Sequence, residues 1–148
     1  MKYSILIALN DSLNSRAVLD YICNLPLRPE DVTITLLHIY REPSSGEELM
    51  GKKYMRKLPL KFLNMLAKAK EQLVSAGFLK KNIEVSLVTA PYPTVADGII
   101  DQFRKKEYSM VILGRKRMSK AEEFVMGDAS VKLVRALEGT AVVVVKLR

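Results

Sequence analysis

Only one cysteine, Cys23, and one histidine, His38, occur in the 148 residues. A single thiol excludes an intramolecular disulfide and fits a cytosolic home. One Cys and one His at unrelated places cannot make a metal cluster of recognisable spacing. Long apolar runs are missing too: Ala141 to Val145 is as long as any and far too short to cross a bilayer. No charged, apolar and small-residue succession opens the chain, so no secretory leader is expected. There is no GxxxxGK[ST], no GxGxxG after the first apolar segment and no GxSxG. No nucleophile–base pair can be named, and the chain leans away from enzymes.

Acidic residues are scarce: 16 Asp and Glu face 24 Lys and Arg, a net charge of +8. That balance favours acidic partners, whether nucleotide, nucleic acid, anionic lipid or protein. The excess gathers in two places. Between Arg41 and Lys61 six basic residues meet three acidic ones, and between Gln102 and Lys120 seven meet only Glu107. These stretches are not interleaved with aromatics and carry no helix-turn-helix or RNA-binding signature, which points away from nucleic acid.

Strand-like and helix-like segments alternate. Tyr3 to Leu9 is an apolar run ending in the turn signal Asn10, Asp11, Ser12. Ala17, Val18, Tyr21, Ile22 and Leu25 then share one helical face, and Pro26 and Pro29 stop that helix. Val32 to Tyr40 reads as a second strand and Pro59 to Ala76 as a helix, with Phe62, Leu66, Ala69 and Leu73 inward and Gly77 at its end. Ile83 to Val88 is the third strand. Thr94 is placed as an N-cap, followed by a stripe of Val95, Ile99 and Phe103. Met110 to Leu113, closed by Gly114, is the fourth strand. Ser130, Leu133, Val134 and Leu137 mark a last helix ended by Gly139, and Thr140 to Lys146 is the fifth strand. Residues Arg41 to Leu58 show no core stripe and read as a long loop, either mobile or a lid.

This alternation predicts one α/β domain over residues 1–148, a doubly wound five-stranded parallel sheet in the order 3-2-1-4-5 with helices on both faces. Ligands of such sheets lie at the carboxyl ends of the strands where the order reverses. Here that point falls between the first strand, ending at Asn10, and the fourth, ending at Gly114.

After the fourth strand stands GRKRMSKAEEFVMGDAS, Gly114 to Ser130. It resembles the G-x-x-G, nine residues, G-[ST] motif of ATP-binding universal stress proteins. The opening ILIALNDSLNS and the segments LLHIY and YPTVADGII resemble that family in order and spacing, so the likeness spans about 140 of the 148 residues. It implies the Rossmann-like fold, a role in stress adaptation, and nucleotide-binding candidates at Ala8, Asn10, Ser12, Ile39, Gly114, Arg115, Arg117, Gly127, Asp128, Ala129 and Ser130. His38 matches a common family residue, for which a structural role is expected.

Three positions depart from the family pattern. Asn10 stands for an aspartate, Arg117 for the second glycine, and Asp128 for the hydroxyl residue after the third. Glycines let backbone approach phosphate, and a helix N-terminus with a hydroxyl gathers the anion. Asp128 instead puts a carboxylate in the anion's seat, where it caps the helix. The expectation is therefore a non-catalytic stress protein with a degenerate ATP motif, acting through an unknown protein partner or ligand. A member that binds ATP or AMP, or a weak ATPase, is the alternative, and a nucleic-acid binder is the third. Self-pairing along Thr140 to Val145, an apolar edge in the 3-2-1-4-5 order, predicts a cytoplasmic homodimer without membrane association.

Overall fold

A computed structural model describes residues 3–9, 12–41, 51–115 and 129–146. The chain runs β1 (Tyr3–Ala8), α1 (Ser12–Cys23), β2 (Val32–Arg41), α2 (Lys52–Ser75), β3 (Ile83–Tyr92), α3 (Val95–Lys105), β4 (Met110–Arg115), α4 (Ala129–Ala136) and β5 (Ala141–Lys146). The strands form one sheet in the order β3-β2-β1-β4-β5, every neighbouring pair parallel. This is the winding read from the sequence.

Two cores lie on the two faces of the sheet. On one, Ile5, Ile7 and Leu9 of the β1 segment pack with Val18 and Ile22 of α1 and with Leu66, Ala69 and Leu73 of α2. On the other, Leu6 and Ala8 pack with Ile99 and Phe103 of α3 and Leu133 of α4. Successive residues of β1 thus feed opposite cores, as strand pleating requires. Because β1 is central and covered on both sides, its buried residues Ile5 to Ala8 are all apolar.

The helix ends follow their local chemistry. Gly77, at φ 108°, donates to the Val74 carbonyl while Phe78 donates to Leu73, and Phe78 folds back onto the core beside Leu73. These two bonds satisfy carbonyls that the end of α2 would leave open, and they need the left-handed conformation glycine reaches freely. At α3, the Thr94 hydroxyl accepts from the Asp97 amide.

Several boundaries differ from expectation. Helix α2 starts at Lys52, not Pro59, so part of the stretch read as a loop is helical; residues 42–50 fall outside the described set. Proline is common in a first helical turn, which is why Pro59 read as a start, but here it sits inside the helix. Its ring supplies no N–H to the Met55 carbonyl and crowds it. Pro59→Ala should therefore stabilise the protein, by up to about 3 kcal/mol, read as a higher urea midpoint with unchanged slope.

Strand β4 runs through Gly114 to Arg115, so Gly114 lies in the strand and does not close it. Strand β1 stops at Ala8, although the Leu9 amide still donates to Leu37. Strand β3 continues to Tyr92 through Pro91, tolerated because β3 is an edge where one row of amides has no strand to bond. Thr140 lies just before β5. Tyr21, read as sharing the apolar face of α1, and Val134, read as marking the last helix, are exposed, at 41% and 62%. The buried face of α1 is Ser15, Val18, Leu19 and Ile22, at the i, i+3, i+4, i+7 spacing.

Candidate functional site

Strands β1 and β4 are neighbours, yet the chain leaves β1 toward one face of the sheet and reaches β4 from the other. In such sheets the ligand crevice lies at the carboxyl ends of the two strands flanking this reversal. Ala8 ends β1, paired with Leu37 on one side and Leu113 on the other. Gly114 and Arg115 end β4, beside Val145 and Lys146 of β5. Ser12 is the first residue of α1, and Ala129 and Ser130 are the first of α4, with Ser130 buried. These candidates gather around the ends of β1 and β4. Asn10, Arg117, Gly127 and Asp128 lie outside the described residues.

Ile39 is buried near the end of β2, under α3. Gly98 of α3 passes so close that a Cβ there would meet the Ile39 Cγ2 at 2.6 Å. The absent side chain lets α3 sit down on β2, which sets how far the start of α3 stands from the crevice.

The end of β1 is held by His38. The residue is 5% exposed, and its Nδ1 lies 2.6 Å from the carbonyl oxygen of Leu9. A carbonyl only accepts, so Nδ1 carries the proton and donates. The other side of the ring stacks on Phe62 of α2, with centroids 3.9 Å apart and planes 22° from parallel. Burial pushes the imidazole below its ordinary value, while the bond to Leu9 pulls it partly back. A neutral ring clamped by a backbone carbonyl and an aromatic face is an anchor for the residue immediately before Asn10, in keeping with the structural role expected from the sequence.

One cluster at the rim was not foreseen. The Thr94 hydroxyl donates to the Asp97 carboxylate at 2.6 Å, and Lys132 of α4 reaches Asp97 at 3.5 Å and Thr94 at 3.4 Å. The Thr94 hydroxyl first, and the Lys132 charge after it, hold Asp97 below the usual carboxylate range. The Thr-x-x-Asp spacing is readable in the sequence, but Lys132 lies far along the chain and only the fold brings it there. Beside it, the Tyr92 hydroxyl donates to Asp101 at 2.5 Å, and Lys105 pairs with the same carboxylate at 3.6 Å. Together these contacts tie α3 to α4 and to the last residue of β3.

Among the described residues, no three of His, Cys, Asp and Glu lie together in a way that would hold a metal ion. No described helix is long and apolar enough to cross a membrane.

Solved structures share this architecture. A universal stress protein in complex with cAMP superposes with a TM-score of 0.67 at 13% identity, over 97% of this chain and 95% of the other. One from Archaeoglobus fulgidus gives 0.68 at 14% identity, over 99% and 100%. An Arabidopsis thaliana family protein with AMP bound gives 0.67 at 15%, over 99% and 92%. At such identities the likeness concerns the fold. No curated protein sequence matches the chain. The model of the universal stress protein family matches residues 2–146, nearly the whole of the sequence and every strand of the sheet, and the chain belongs to that family.

Proposed function

We propose that this chain is a non-catalytic, dimeric universal stress protein whose crevice takes adenine mononucleotides in preference to ATP. The observation that carries this reading is the site itself. Gly114 stands in β4 next to the central strand, at the reversal of strand order, and the sequence from it to Ser130 is the one that resembles the family's ATP motif. In that stretch Arg117 and Asp128 replace the glycine and hydroxyl that the family's ATP motif uses. A carboxylate near the phosphates opposes ATP, with its four charges, more than AMP or cAMP. Two proteins of the same fold, crystallised with cAMP and with AMP, supply the ligand class. Isothermal titration should rank cAMP and AMP above ATP. Equal or tighter binding of ATP would overturn the preference and favour an ATP-binding member, with Arg115, Lys116 and Arg117 at the phosphates.

The dimer rests on β5. The Ala141 amide donates to Ser109, so in this parallel ladder Ala141, Val143 and Val145 bond toward β4 while Val142 and Val144 present their amides outward. Val142 to Val145 are only half-buried, and an apolar edge of this kind invites pairing with a copy of itself. Val144→Pro removes one outward amide and leaves the β4 ladder intact. The wild type should sediment at about twice 16.7 kDa, and Val144→Pro at the single-chain mass with unchanged circular dichroism. A single-chain mass for the wild type at concentrations of about 10 μM removes the dimer.

A further inference from the structure

Helix α2 carries a second apolar face that no described element covers. Leu66, Ala69 and Leu73 face the sheet. Met65 and Gln72 face α1, where the Ser15 hydroxyl reaches the Met65 sulfur at 3.9 Å and the Gln72 amide donates to Asp20 at 3.3 Å. At about 100° per residue, Leu63 and Val74 project on the flank roughly opposite Met65 and Gln72. Leu60 and Ala67 lie next to them. Leu60 is 60% exposed, Leu63 43% and Val74 38%, so this flank is open where the other is filled by α1. It overhangs β3, the edge of the sheet, whose Val85 and Leu87 are only half-buried.

The spacing says what shape fits. Leu60, Leu63, Ala67, Lys70 and Val74 follow each other at intervals of three, four, three and four. Their apolar members span only about 60° of the helix, a narrow seam about 21 Å long, the width a single packed helix covers. A bilayer surface calls for a broader apolar face. Charge then selects the partner. Lys57 and Lys68 are exposed on the solvent side of the seam, Lys61 lies beyond them toward α1, and Lys70 lies within the seam, against Glu71 alone. None of these four lysines forms an ion pair with another described residue. A second copy docked here would set lysines against lysines.

We propose that this flank of α2 docks an amphipathic helix of another protein, with an apolar seam edged by Asp and Glu. The proposal is independent of the nucleotide crevice and of the β5 dimer.

The probe is a labelled four-heptad peptide with Leu at the a and d positions and Glu at the flanking ones, beside a twin with Lys for each Glu. Fluorescence anisotropy should show binding of the Glu peptide and none of the Lys twin. Binding should weaken at least about tenfold between roughly 0.05 and 0.5 M salt. The pair Leu63→Glu with Val74→Glu should weaken it at least about tenfold, as should Lys57→Glu with Lys68→Glu. These side chains are solvent-facing, so circular dichroism should confirm that each variant is folded. The proposal is overturned if the Glu peptide does not bind at about 1 mM, if both peptides bind alike, or if neither pair of substitutions matters. Binding to phosphatidylglycerol vesicles without binding to the peptide would assign the flank to membranes instead. Loss of self-association in Leu63→Glu with Val74→Glu would assign it to a second copy, and both results overturn the proposal.

Discussion

Titrated with ATP, the wild-type protein should give no isotherm at micromolar concentrations, and Asp128→Ser should recover binding by two to three orders of magnitude. The family resemblance sets Asp128 where a hydroxyl would meet phosphate. Two unit charges about 4 Å apart at an effective dielectric near 20 repel by about 4 kcal/mol. That is roughly a thousandfold in affinity. Arg115, Lys116 and Arg117 offset part of it, which places the expected gain below the full figure. The other two departures are worth less. Asn10 offers an amide where the family has an acceptor-only carboxylate, a matter of one hydrogen bond at about 1 kcal/mol. Arg117 fills space that a glycine leaves to the phosphates. Binding should therefore strengthen stepwise from wild type to Asp128→Ser to the triple change Asn10→Asp, Arg117→Gly, Asp128→Ser. Micromolar binding by the wild type that Gly127→Val abolishes would reverse this reading.

What was legible in the sequence depended on how local its cause was. Parallel winding follows from apolar runs alternating with helical stripes, and crossover handedness leaves few orders, of which 3-2-1-4-5 is one. The Gly77 terminus and the Thr94 cap are decided within six residues, and both stand as read. Errors arose where two local rules competed or where the neighbour was distant. Pro59 obeys the rule for a first helical turn, but residues 52–58 continue the helix ahead of it. Strand β3 runs past the expected Val88 and through Pro91, and only the sheet order reveals that it is an edge. Tyr21 and Val134 sit one helical position beside the true stripes, a rotation that periodicity alone does not fix. At the candidate site, Ala8, Ile39, Gly114 and Ser130 are named by the family resemblance, and the fold sets Ala8 and Gly114 near the ends of neighbouring strands and Ser130 at the start of a helix. The Lys132 contact to Asp97 and the clasp of His38 on Leu9 needed the fold.

That clasp should be costly to lose. His38→Ala removes a stacked ring, worth about 0.5–1.5 kcal/mol beyond its burial. It also leaves the Leu9 carbonyl without its donor, about 1–3 kcal/mol, and opens a cavity beside Phe62. A loss of about 3–4 kcal/mol in unfolding free energy is expected. His38→Phe keeps the ring against Phe62 and loses only the hydrogen bond, so it should lose about half as much. The two variants separate packing from polar satisfaction. The pH dependence supplies a third measurement. Because burial holds the folded imidazole below 6.5, the unfolded chain binds more protons in the window between the folded value and 6.5. Unfolding free energy must then rise with pH through that window, and be lost as pH falls through it. Above about pH 7 the ring is neutral in both states and the contribution is complete. His38 is the only histidine, so the difference between the wild-type and His38→Phe curves isolates its titration. That difference should be flat above neutrality and shrink toward acid. A difference that grows as the pH falls would mean a ring charged in the fold, and would remove His38 as a neutral anchor of the β1 end.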